Sequence, residues 1–148
     1  YIGAGKIRFV YHDFPLTNIH PNAFLASRAG RCAEELGNFW AFHDELYANQ
    51  RQWSGQANPV ANFLNYGERA GLDPRAFESC IRSDRHAEVV TANMRLGMAL
   101  GVPGTPSIMI RQGSGIARRL PSSDYNTIST AIEDALAAMA GSTPSGGS

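Results

Sequence analysis

A chain of 148 residues, 43% hydrophobic and 18% charged, can bury one ordinary core, and thirteen basic against thirteen acidic residues leave it formally neutral. That balance supplies no general field for phosphate backbones or anionic lipid, so nucleic-acid and membrane-surface roles are disfavoured. No apolar run approaches the roughly 18 residues of a membrane helix, and no membrane insertion is expected.

The chain opens at Tyr1 with neither an initiating Met nor a basic-then-apolar leader, and is expected to be a fragment or processed product whose targeting signal would lie upstream. Tyr1 to Gly5 reads as the tail of a helix entering a glycine turn. Lys6 to Phe14 is rich in Ile, Phe, Val and Tyr and ends at Pro15, which predicts a strand. Pro21 suits the first turn of a helix in which Leu25, Ala29, Cys32 and Leu36 share a face, and Gly37 can close it. Asn38 can cap a second helix with the stripe Phe39, Phe42, Leu46 and Tyr47, leaving His43, Asp44 and Glu45 mostly outward.

Arg51 to Asn58 is polar and turn-like, which would expose Trp53. Asn58-Pro59 opens a helix through Phe63, Leu64 and Tyr66 that Gly71 closes, and Asp73-Pro74 opens another with Phe77, Cys80 and Ile81 on one side. Asp84 is expected to cap a long helix in which Val89, Val90, Met94 and Met98 or Leu100 run inward until Gly101. The chain then turns through two prolines and two glycines into a short strand, Ser107 to Ile110. Arg111 to Gly115 reads as a hairpin turn and Ile116 to Leu120 as the returning strand. Pro121 to Asp124 starts a final helix with the stripe Ile128, Ile132, Ala135, Leu136 and Met139, and residues 141–148 read as a flexible tail.

Cys32 and Cys80, 48 residues apart, match no metal or redox motif, and both fall inside predicted helices rather than at the helix start that would activate a thiolate. By their residues alone they are free buried thiols or a bridge closing a loop of about 50 residues. His12, His20, His43 and His86 pair with no Cys, His or carboxylate at ligand spacing, so they read as solvated or hydrogen-bonded, and neither metal nor cofactor is expected. Phe39, Trp40 and Phe42 read as core, and Arg118 and Arg119 as charges guarding an edge strand.

The run Gly101-Val102-Pro103-Gly104-Thr105-Pro106-Ser107 before a hydrophobic strand resembles the cis-proline segment of the DsbA-like thioredoxin-fold thiol-disulfide oxidoreductases. Lys6 to Leu16, His20-Pro21-Asn22-Ala23, Gly37 to Asp44 and Phe77 to Ile81 agree with that family in the same order. The resemblance implies an α/β, thioredoxin-like (DsbA-type) sheet from residues 1–16 and 101–140, with a helical insertion at 17–100. It implies that Thr105 and Pro106, joined in cis, hold an extended polypeptide substrate by strand-like pairing. It favours a structural disulfide between Cys32 and Cys80, because relatives tie their insertion at similar places, and an extracytoplasmic (periplasmic or secreted) location.

The family's Cys-x-x-Cys has no counterpart in these residues. No catalytic residue is therefore assigned, and the chain by itself is expected to be inactive in dithiol exchange, with the first βα unit missing. Strands that should flank that unit would keep unpaired edges, which favours a homodimer or strand-exchanged assembly. One alternative is a noncatalytic thioredoxin-fold module that binds peptides or partners at Thr105-Pro106. Another is an isomerase or kappa-type glutathione transferase relative, although Phe14-Pro15-Leu16 and His20 to Ala23 look more like the oxidoreductases.

Overall fold

The computed structural model describes residues 1–141. They fall into a helical unit, His12–Gly101, and a second unit made of Tyr1–Tyr11 and the chain from Val102 onward. The sequence sets the first junction later, after Leu16. Of the expected tail at 141–148, all but Gly141 lies outside the described residues.

The helical unit comprises α1 (Ala23–Glu35), α2 (Phe39–Ala48), α3 (Gln50–Trp53), α4 (Val60–Arg69), α5 (Pro74–Arg82) and α6 (Ala87–Ala99). Its boundaries follow local chemistry. Gly37, Gly71 and Gly101 take positive φ and stop α1, α4 and α6, while the Asp73 carboxylate accepts the Ala76 N–H at 2.7 Å and Pro74 opens α5. Two expected caps do different work. The Asn38 amide donates to the Ala70 carbonyl, tying the start of α2 to the end of α4. Asp84 lies before α6, whose N-cap position is His86, and pairs with Arg28 at 2.9 Å.

At the centre, Phe42, Phe63 and Phe77 are fully buried and meet edge to face, with Phe42 5.0 Å from Phe77 and 6.5 Å from Phe63 between ring centroids. Small residues on α1, including Ala26, Ala29, Gly30 and Ala33, let its neighbours approach closely. Trp53, expected in a polar turn, instead lies in the short helix α3 with its ring against Phe63 and its indole N–H donating to the Leu46 carbonyl at 2.9 Å. Trp40, expected in the core, is half exposed because the buried side of α2 is limited to Phe42 and Leu46.

Helix α6 also differs from its pattern. Val90 is fully buried and Met94 partly so, but Val89, Met98 and Leu100 are exposed. The C-terminal half of α6 instead offers Gly97, over which the Phe14 ring lies so closely that an added Cβ would come within 2.6 Å of it. Phe14 and the buried Pro15 thus attach the entry segment of this unit to α6.

In the second unit, β1 (Met109–Ile110) pairs antiparallel with β2 (Arg118–Arg119), Met109 opposite Arg119 and Ile110 opposite Arg118. Both strands are shorter than the segments predicted for them, Ser107 to Ile110 and Ile116 to Leu120, and Ile116 is 97% exposed. The predicted strand at Lys6 to Phe14 carries no ladder among the described residues: β-branched composition favours extension, but a strand needs a neighbour for its N–H and C=O groups. Asp124 caps α7 (Tyr125–Gly141) through the Thr127 N–H and hydroxyl, and hydrogen bonds from Ser122 first and then Thr127 hold its carboxyl well below the usual carboxylate range. Tyr1 donates to Glu133 of α7 at 2.6 Å, and this bond raises the phenol pKa.

Gly67 carries the tightest approach in the core, since a Cβ there would stand 2.4 Å from the Phe77 ring. Gly67→Ala is expected to cost about 1–3 kcal/mol by overpacking, measured as a lowered urea midpoint, whereas Gly55→Ala, with open space around it, should not show such a loss.

Candidate functional site

Two constellations stand out, one in each unit. In the second unit the Thr105–Pro106 peptide is cis, and both residues are exposed. The Ser107 hydroxyl donates to the Gly104 carbonyl at 2.7 Å, closing the bend just before β1. The Leu120 N–H donates to the Ile108 carbonyl at 2.8 Å, and ladder bonds alternate in an antiparallel pair. The Met109 N–H and C=O therefore face away from β2, and among the described residues no strand lies on that side.

The second constellation lies in the helical unit, around Cys32 on α1 and Cys80 on α5. Their sulfurs are joined at 2.01 Å, their Cα atoms lie 5.8 Å apart, and both residues are at least 98% buried. The segment between α5 and α6 is bound to α1 by polar contacts. Arg28 donates to the Ser83 carbonyl and pairs with Asp84, Glu35 accepts from Arg85 at 2.9 Å, and the other Glu35 oxygen meets His86 Nε2 at 2.8 Å. This arrangement sets a ring nitrogen of His86 and both cysteine sulfurs within 4.8 Å of one another. Sequence spacing placed His86 alone near a helix start. The cluster forms because the chain turns between α5 and α6 and brings His86 back beside Cys80, a proximity no linear motif encodes.

The remaining histidines stand apart from the cysteines. His12 meets Asn93 at 3.2 Å, His43 meets Asp44 at 3.0 Å and packs among aromatic rings, and His20 is exposed. Sequence reasoning also missed Asp13, which is 97% buried and accepts from Arg31 Nε at 2.6 Å and from the Asn93 amide at 3.2 Å. Burial opposes the Arg31 charge, but hydrogen bonds and charge from Glu34 and Asp13 outweigh it and hold the guanidinium above its ordinary pKa. The available signal was an acid in a stretch of strand-like composition, Asp13 following Val10-Tyr11-His12 and preceding Phe14-Pro15.

A thioredoxin family model matches residues 1–134, and the chain belongs to that family. Its helices and small two-stranded sheet constitute an α/β, thioredoxin-like fold. The chain is 27% identical over 137 residues to a Rickettsia bellii protein named "Putative protein-disulfide oxidoreductase", covering 92% of this chain and 50% of that protein. A Rickettsia typhi protein, also named as a "Putative protein-disulfide oxidoreductase", is 28% identical over 137 residues, with 92% of this chain and 48% of its own length matched. A third relative, a Salinispora tropica Na(+)/H(+) antiporter, is 33% identical over 105 residues, or 71% of this chain but only 15% of the antiporter. The chain thus spans about half the length of the Rickettsia relatives and a small part of the antiporter. No helix among the described residues is long and apolar enough to cross a membrane.

The buried ion pair makes its own demand on the helical unit. Arg31→Ala would leave the Asp13 carboxylate buried with only the Asn93 amide, and is expected to destabilise the unit by about 3–5 kcal/mol. Chemical denaturation of the variant beside Asp13→Asn/Arg31→Leu checks this: the double change removes both charges and should recover part of the loss.

Proposed function

We propose that this chain is the polypeptide-holding part of a DsbA-like thiol-disulfide oxidoreductase. The carrying observation is the open outer edge of β1, led by the exposed Thr105 and Pro106, in a chain of the thioredoxin family. An extended peptide can add there as a further strand, taking main-chain bonds from Met109 and contacts from Thr105 and Pro106. Such pairing reads backbone rather than side-chain identity and suits substrates that share only an unfolded state. Cys32 and Cys80 are consumed in a buried bridge and neither stands at the start of its own helix, so the 148 residues by themselves lack a dithiol placed to attack a substrate disulfide. The bridge supports an oxidising, extracytoplasmic setting.

Fluorescence anisotropy with a labelled, reduced and alkylated polypeptide tests the edge. Met109→Pro removes the outward N–H and is expected to abolish binding, while Thr105→Ala, which keeps the backbone, should stay within about threefold of the parent. Equal binding by the parent and Met109→Pro would overturn the proposal, provided the helical circular dichroism of the two agrees. Without a peptide the same edge is open to a second copy of the chain. Light scattering at micromolar concentration is then expected to give twice the 16.0 kDa chain mass; a single-chain mass would dismiss the self-pairing and leave the peptide site standing.

A further inference from the structure

The helical unit holds a cluster that the peptide edge does not use: two cysteine sulfurs and a histidine nitrogen mutually within 4.8 Å, with the cysteines buried and the His86 side chain 21% exposed. We propose that, once its disulfide is reduced, this cluster is a zinc site formed by Cys32, Cys80 and His86. Two thiolates and an imidazole are a soft, borderline donor set of the kind tetrahedral Zn²⁺ takes.

The geometry supports three ligands from a rigid frame. Zn–S bonds of about 2.3 Å at a tetrahedral angle hold two sulfurs roughly 3.8 Å apart. The Cα atoms of Cys32 and Cys80 lie 5.8 Å apart, close enough for two cysteine side chains to share one ion once the bridge is open. His86 is held in place by Glu35, whose carboxylate meets Nε2 at 2.8 Å, and this leaves Nδ1 as the nitrogen available to a metal. A carboxylate behind a ligating histidine fixes the ring and raises its basicity. Arg85, on the other Glu35 oxygen, and Arg28, on Ser83 and Asp84, keep the segment bearing His86 against α1. The exposed part of His86 leaves the ion an entry and a water the fourth position.

The chemistry is exclusive between the two states. An external dithiol gives two electrons and two protons to the S–S bond, leaving two Cys thiols here and a disulfide in the donor. Zn²⁺ then displaces both thiol protons to solvent and binds the thiolates. The bridged form offers no thiolate, so an external disulfide that takes two electrons from the thiolates, itself reduced to a dithiol, re-forms the bridge and releases the ion. The chain would therefore carry zinc only while reduced, either before the bridge first forms or after a dithiol has opened it.

Co²⁺ and Zn²⁺ added to the whole chain test this. The protein reduced with a phosphine and freed of metal is expected to bind one Co²⁺, with sulfur-to-cobalt charge-transfer absorption in the near ultraviolet and tetrahedral d–d bands in the visible, both lost when Zn²⁺ is added. Untreated, bridged protein should show neither. Cys80→Ser should abolish the bands, and His86→Gln and Glu35→Gln should each weaken Zn²⁺ affinity about tenfold or more. Circular dichroism accompanies each sample: if reduction loosens the helices, Zn²⁺ is expected to restore them. The proposal is overturned by reduced protein that binds no Co²⁺, by a reduced chain that stays unfolded in Zn²⁺, or by His86→Gln binding as tightly as the parent, since two thiolates would then suffice. None of these outcomes depends on peptide binding at β1.

Discussion

Helix α1 is the element on which the helical unit depends, because four of its side chains together secure three different parts of the chain. Cys32 bonds α5 covalently, Arg31 pairs with Asp13 on the entry segment, and Arg28 and Glu35 grip the turn between α5 and α6. Closing a loop of 48 residues restricts the unfolded chain by about 4 kcal/mol on the chain-entropy account. The Arg31–Asp13 pair acts differently. Its burial makes it a weak source of net stability but a severe penalty on any packing that separates the charges, so it selects one placement of residues 12–15.

The same anchoring explains why one turn of chain can hold both a disulfide and an imidazole. Cys80 ends up opposite Cys32 because Asp73 and Pro74 start α5 at a fixed register, and His86 returns because Arg28 and Glu35 pull its segment back. In the second unit the bend at Gly104 to Ser107 leads into a strand that has β2 on one edge and, among the described residues, no strand on the other.

What local chemistry dictates was legible. Glycines at helix ends, Asp73-Pro74, the stripe on α1 and the turn before Ser107 all follow from dihedral and capping preferences acting within a few residues. What distant partners decide was not. Lys6 to Phe14 has strand composition without a ladder, Asn38 gave its amide to Ala70 rather than to its own helix, and Val89, Met98 and Leu100 followed a helical stripe that the packing of α6 left in the open. The peptide-edge residues were found through family resemblance. His86 belongs to no motif, because its neighbours are set by a helix six residues earlier and another some fifty residues earlier.

The two tryptophans of the chain both belong to the helical unit, yet they sit in opposite surroundings: Trp53 is sealed against Phe63 with its indole proton committed, and Trp40 is half open beside Phe39 and His43. A sheltered indole emits to the blue and resists iodide, whereas an open one emits to the red and is reached by it, so the two are expected to differ in both respects. The unit therefore contains its own optical gauge, one indole following the interior and the other the skin, so that loosening of the core and events at the surface can be told apart without attaching a dye.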